Sequence, residues 1–191
     1  VRVCLYWNEQ AGEGISVDEL CRLIEKAGHH IARVVEHGED LGRACREPHD
    51  CFVAAGGDGT VARAGRALAH GRTPLAIVPL GTANNIAASL GINPDPRRAI
   101  DGWNVQRVVR VDVGAVEDAT GRCLFLEGVG VGLLPAGIAA GQQAVPKHNG
   151  QDAVANVTRA RQIFLETLMA LEPRRYGLSI EGTTFEEESL L

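Results

Sequence analysis

Apolar residues along the first hundred positions fall into two alternating patterns. Short unbroken runs, "VRVCLYW" at 1–7, "IARVVEH" at 31–37, "CFVAAG" at 51–56 and "PLAIVPL" at 74–80, have the composition of strands, and the third suits a strand buried on both faces. Between them apolar positions recur three and four apart. Leu20, Leu23, Ile24 and Ala27 keep this spacing up to Gly28, Val61 to Ala69 keep it to a close near Gly71, and Ala83 to Leu90 end at Gly91. "SVDE" at 16–19 opens the first helix as a capping box, with Ser16 at the N-cap and Glu19 three residues on, and a short helix is expected after Asp40. This alternation predicts an α/β fold: an open, mostly parallel sheet with helices on both faces and ligands at the carboxyl ends of its strands.

The pattern changes after "NPDPRRAIDGWN" at 93–104. "RVVRVDVGAV" (107–116), the turn "EDATG" and "RCLFLEGVGVG" (122–132) read as paired antiparallel strands, and "RYGLSIEG" with "TFEEESLL" repeats the hairpin pattern near the end. A Gly/Ala/Pro-rich stretch at 135–150 reads as a surface loop, and a helix is expected over about 154–171. The domains expected are 1–105, the α/β domain, and 106–191, part of a mainly β, sandwich-like second domain. Val1 in place of Met and an ending inside the apolar "SLL" suggest a piece of a longer polypeptide.

Composition narrows the function. The chain has 191 residues, 45% apolar and 23% charged, enough for a real core. A net charge of −5, with Lys26 and Lys147 the two lysines, argues against a protein devoted to neutralising nucleic-acid phosphates. Without an apolar span or a signal-peptide layout, the chain reads as cytoplasmic. Five cysteines with no C-x-x-C spacing do not support a disulfide framework or a zinc site, and Cys4 and Cys51 read as small core residues.

The chemistry concentrates in two glycine-bearing loops at the expected ligand edge. "AAGGDGTVARAG" (54–65) places glycines where a strand turns into a helix, so the backbone can approach a ligand closely and the helix can aim free N–H groups at an anion. G-x-x-x-x-G-K-[ST] is absent, so the loop lacks the usual lysine; Asp58 makes sense if the positive charge is Mg²⁺, or else it is a helix cap. "PLGTANN" (79–85) repeats a Gly-Thr step between strand and helix, with two asparagines able to hydrogen-bond a base, a ribose or water, or to cap the helix.

"GGDGT" at 56–60 followed by "PLGTANNIA" at 79–87 resembles the catalytic domain of the diacylglycerol kinase and related lipid kinase family, which includes sphingosine kinases and bacterial lipid kinases. "WNEQAGEG" (7–14) is similar to the family's Asn-Pro-x-Ser-Gly-x-Gly loop. "RVVRVDVGAV" with "LFLEGVGVG" looks like its Asp-x-Gly strand and the glycine-rich strand that follows. The resemblance implies ATP-dependent phosphorylation of a lipid hydroxyl, such as that of diacylglycerol, in a cleft between two domains. It implies that Asn8, Gly12 and Gly14 border the nucleotide, that Gly56, Gly57, Gly59 and Thr60 hold its phosphates, and that Gly81, Thr82, Asn84 and Asn85 complete the pocket. Asp58 would organise Mg²⁺ and water and orient the acceptor hydroxyl, and Asp112 would join that network from the second domain.

The sequence also departs from the family pattern. The second loop usually reads Gly-Thr-Gly-Asn-Asp-Phe-Ala-Arg, and here Ala83, Asn85, Ile86 and Ala88 replace four of those residues; Arg63 stands where the family often has Glu. Asn85 lacks the charge an aspartate would bring to Mg²⁺. Two rivals therefore stand beside the lipid kinase: an NAD kinase, which shares "GGDGT", and a nucleotide-binding protein of this fold without turnover. The partners implied are a lipid at a membrane surface, met peripherally, and no nucleic acid. Segment 133–150, with Lys147 and His148, is a candidate for lipid entry, and a homodimer is left open.

Overall fold

The computed structural model describes residues 1–9, 15–36, 38–103, 107–144, 153–172 and 174–189. They form two compact units, Val1–Gly128 and Val129–Leu191. The boundary expected near residue 105 lies outside the described residues.

The first unit is built on four parallel strands, β1 (Arg2–Trp7), β2 (His30–Val35), β3 (Cys51–Gly56) and β4 (Leu75–Pro79), in the order β2-β1-β3-β4. Six consecutive buried residues make β3 the centre of the core, as its unbroken apolar run predicts. One face packs Cys4, Tyr6, Phe52, Ala54 and Ile77 against α2 (Leu41–Ala44), α3 (Asp58–Leu68) and α4 (Asn85–Ser89). The opposite face packs Val3, Leu5, Val53, Ala55 and Val78 against α1 (Val17–Lys26) and α5 (Pro96–Asp101). Helices therefore cover both faces, because successive residues of each strand point to opposite sides.

The local signals that start these helices are visible as hydrogen bonds. Ser16 Oγ accepts from the Glu19 N–H at 3.2 Å, and Asp40 Oδ1 accepts from the Arg43 N–H at 3.2 Å. Helix α5 is an addition to the expected order. Asp95 caps it by accepting from the Arg97 N–H, Pro96 opens it, and Ala99 and Ile100 are buried, Ile100 in the cluster on the α1 face. An aspartate before a proline at the first helical position is a start signal that "NPDPRRAID" already carries.

Beyond α5 two expectations are corrected. Residues 107–113 are irregular, and the hairpin begins only at β5 (Gly114–Asp118), which pairs antiparallel with β6 (Gly121–Phe125) across the two-residue turn Ala119–Thr120. Asp118 fixes that turn by accepting from the Thr120 N–H at 2.7 Å. The second correction concerns the stretch read as a loop from residue 135, whose first part is helical: α6 spans Leu133–Ala144 and packs on α7 (Ala153–Ala170). Gly137 serves that packing, since a Cβ there would meet the Phe164 ring at 2.7 Å, and Pro135 falls in the first turn, where a missing N–H costs little. The rest of that stretch, with Lys147 and His148, lies outside the described residues. The expected second hairpin is present as β7 (Arg174–Ile180) and β8 (Thr183–Ser189). Its turn places Glu181 and Gly182 at φ 49° and 85°. None of the described helices is long and apolar enough to cross a membrane.

Two core thiols give the fold an alkaline limit. Burial pushes the Cys4 thiol from 9.0 up to about 12 and the Cys51 thiol from 9.0 up to about 11. Stability present below pH 9 is lost as pH rises towards these values, because the unfolded chain releases protons that the folded chain still holds. Urea midpoints should therefore fall between pH 8 and pH 10, and the fall should be smaller in a Cys4→Ala/Cys51→Ala variant.

Candidate nucleotide site

The two glycine loops leave the carboxyl ends of adjacent strands, β3 and β4, and meet. The Leu80 N–H donates to Gly56 O at 3.0 Å, extending the strand pairing into the loops. Gly57 then lies against Gly81 so closely that a Cβ on Gly57 would come within 3.2 Å of Gly81 Cα, and a Cβ on Gly81 within 3.2 Å of Gly57 N. These two glycines are required by each other. A Cβ on Gly56 would in turn strike the Thr60 side chain at 2.6 Å, whereas a Cβ on Gly59 would meet nothing within 4 Å.

Helix α3 starts at this contact. Gly57 is its N-cap, and Gly57 O accepts from the N–H groups of Thr60 at 2.9 Å and Val61 at 3.1 Å. The N–H groups of Asp58 and Gly59 belong to the first turn, which an α-helix leaves without internal partners, and the positive end of the helix dipole lies there. An exposed Gly59 beside these donors leaves space for an anion.

Asp58 bridges the two loops. Its Oδ1 accepts from the Ile86 N–H at 2.9 Å, so the carboxylate caps α4, the helix of the second loop. Among the described residues Oδ2 has no hydrogen-bond partner. The helix-cap alternative thus holds in a different form, with Asp58 capping the neighbouring helix and keeping one oxygen for other work. Thr60 is 5% exposed, and its Oγ1 accepts from Asn8 Nδ2 at 3.3 Å, while the Asn8 N–H donates to Ala55 O at 3.1 Å. That pair ties the end of β1 to the first turn of α3. In the second loop, Asn84 takes a left-handed backbone at φ 51°, ψ 42°, and its carboxamide closes on Gly81: Oδ1 accepts from the Gly81 N–H at 2.9 Å and Nδ2 donates to Gly81 O at 2.6 Å. Thr82 and Asn85 are exposed at the loop surface.

Asp112 lies exposed in the irregular stretch before β5, and no hydrogen bond or ion pair joins it to Asp58. Its neighbour Val111 does reach the second loop. With Leu126 and Glu127 it faces Asn85, Ile86, Ser89 and Leu90 across an open cavity of about 320 Å³. Of these lining residues Asn85 is a sequence-predicted site residue, whereas Ser89, Leu90, Val111, Leu126 and Glu127 were not singled out as site residues from the sequence, although Glu127, a lone acid in "LFLEGVGVG", stands out in an apolar run. Arg63, on the second turn of α3, lies over the Tyr6 ring at 5.9 Å and donates to Tyr6 Oη at 3.4 Å. Gly12 and Gly14 lie outside the described residues. Among the described residues there is no group of three or more His, Cys, Asp or Glu side chains able to cage a metal ion.

Comparison with known proteins places these loops in a family. A family model described as the diacylglycerol kinase catalytic domain matches residues 2–116. A probable lipid kinase YegS-like protein of Chromohalobacter salexigens is 35% identical over 123 residues, which are 60% of this chain and 40% of that protein. A diacylglycerol kinase of Mycobacterium tuberculosis is 31% identical over 133 residues, 63% of this chain and 42% of that one. The crystal structure of a diacylglycerol kinase from Bacillus anthracis superposes with a TM-score of 0.65 at 24% identity, covering 98% of this chain and 63% of that one, a likeness of fold. The matched segments thus make up 40% and 42% of those two curated relatives.

Proposed function

The chain belongs to the diacylglycerol kinase catalytic domain family, and from that premise we propose that it forms the nucleotide-binding part of an ATP-dependent kinase whose acceptor is a lipid hydroxyl. The observation that carries this reading is the meeting of the two glycine loops, with Asp58 bridging them and Gly59 open beside the first turn of α3. The Asp58 and Gly59 N–H groups and the α3 dipole would receive phosphate oxygens of ATP, the phosphoryl donor. Asn8 and Thr60 would hold that turn in place, and Gly56, Gly57 and Gly81 would let the loops close. Exposed Thr82 and Asn85 would border the nucleotide, as would Gly12 and Gly14.

Asp58 would orient the acceptor hydroxyl with its uncommitted oxygen. As the hydroxyl oxygen bonds to the γ-phosphorus, the bond from that phosphorus to its bridging oxygen breaks, ADP leaves, and the hydroxyl proton passes by way of the carboxylate to water. Positioning and charge stabilisation supply most of such catalysis, so a strong base is not needed. Magnesium fits this donor set as a companion of the nucleotide, because it keeps most of its waters and needs one or two carboxylates beside the phosphates. It would neutralise phosphate charge; Asp58, with Asp112 as the second acid, would hold it through water. A lipid acceptor would be drawn from a bilayer surface, with peripheral contact sufficient.

The direct test is to incubate the complete gene product with γ-labelled ATP, Mg²⁺ and diacylglycerol, ceramide, sphingosine or NAD. Label in a lipid supports the proposal, and label in NAD would replace it with the NAD kinase reading. ATP binding with no transfer would favour a protein without turnover, a reading to which Asn85 in place of the family aspartate lends weight.

A further inference from the structure

We propose that Asn84 is a positioning residue for the nucleotide site, acting through the backbone of Gly81. The functional half of this inference rests on the kinase reading above; the structural half does not. A primary carboxamide offers one acceptor oxygen and an NH₂ donor. In Asn84 both ends meet the same residue, at 2.9 Å and 2.6 Å, which folds Gly81 to Asn84 into a closed ring. The left-handed backbone at Asn84 is what aims the side chain back along its own loop, and asparagine tolerates that conformation better than most residues.

The ring sits between the two links that join the loops. On one side Gly81 rests against Gly57, and on the other α4 begins, with the Ala88 N–H donating to Asn84 O at 2.9 Å and the Ile86 N–H donating to Asp58. Loosening the ring would move Gly81 and the start of α4 together, and with them the surface that meets the phosphates. The carboxamide is thereby committed to the loop's shape and does not read the base or the ribose.

The test uses the full chain as wild type, Asn84→Gly and Asn84→Asp. Glycine accepts the left-handed backbone but cannot close the ring, whereas aspartate keeps the oxygen that accepts from the Gly81 N–H and loses the donor. Hydrogen exchange without ligand comes first: the Gly81 amide should exchange roughly tenfold faster in Asn84→Gly, the size that one or two lost hydrogen bonds give, and less so in Asn84→Asp. Affinities for ATP, 2′-deoxy-ATP and GTP come second. They should weaken in the same order of variants and by the same factor for all three nucleotides. Unchanged Gly81 exchange in Asn84→Gly would overturn the clamp. Nucleotide binding that is unaffected, or a changed preference among the three nucleotides, would overturn the positioning role. If the wild type binds none of them, the kinase reading fails and takes the positioning role with it, while the exchange result still decides the clamp.

Discussion

Asp58→Asn is expected to reduce phosphoryl transfer by roughly 10²–10⁴-fold, the usual worth of a positioned acid–base group, while ATP affinity and folding stay near wild type. The expectation follows from the two oxygens of this side chain. One accepts from the Ile86 N–H at 2.9 Å, and an asparagine oxygen can make the same bond, so the second loop keeps its anchor. The charge and the second acceptor oxygen are lost. Asp58→Ala removes the anchor as well and should cost about 0.5–2 kcal/mol of stability, as lost helix caps do. Initial rates at saturating ATP, taken beside urea midpoints for both variants, separate the two roles. Normal transfer in Asp58→Asn, with destabilisation confined to Asp58→Ala, would reduce Asp58 to a cap.

Gly81→Ala should damage both fold and activity, whereas Gly59→Ala should damage activity alone. An added methyl at Gly81 collides with the backbone of Gly57, lying 3.2 Å from its nitrogen, and comes within 2.8 Å of Asn84 Oδ1. Backbone cannot swing aside as a side chain can, so the loops must separate, at about 1–3 kcal/mol for overpacking. A displacement near 1 Å at a reacting site costs on the order of 10²-fold in rate. At Gly59 the methyl meets nothing within 4 Å, and alanine in a helix is favoured over glycine by about 1 kcal/mol, so the midpoint should hold or rise. ATP affinity should nevertheless fall, because the methyl fills the space left for phosphate. Thermal midpoints and nucleotide titrations of the two variants check this opposition.

Much of this was legible because it is local. Ser16 and Asp40 announce their helices through bonds to residues three positions on, and the buried run Cys51–Gly56 needs no partner to be read as a central strand. Helix α5 was equally local, in the Asp95–Pro96 step, but a second proline just before it, Pro94, and its polar start made the segment read as a boundary. Helix α6 was hidden because Gly137 has a tertiary purpose, close approach to Phe164, that composition reads as a loop.

The site shows the same division. Strand-to-helix turns placed both glycine loops at one sheet edge, yet nothing in "GGDGT" or "GTANN" says that Gly57 exists for Gly81, or that Asp58 anchors a helix 28 residues away. Asn8 and Thr60 were read as neighbours of the nucleotide, and their mutual bond appears only once β1 and β3 lie side by side.

The most direct measurement is a titration of the isotope-labelled full chain with ATP, following backbone amide resonances. The account holds that the two glycine loops form one phosphate site. It predicts that the amides of Asp58 and Gly59 and those of Gly81 to Ile86 shift together, along one saturation curve. Shifts confined to one loop, or to neither while ATP binds elsewhere, would contradict it.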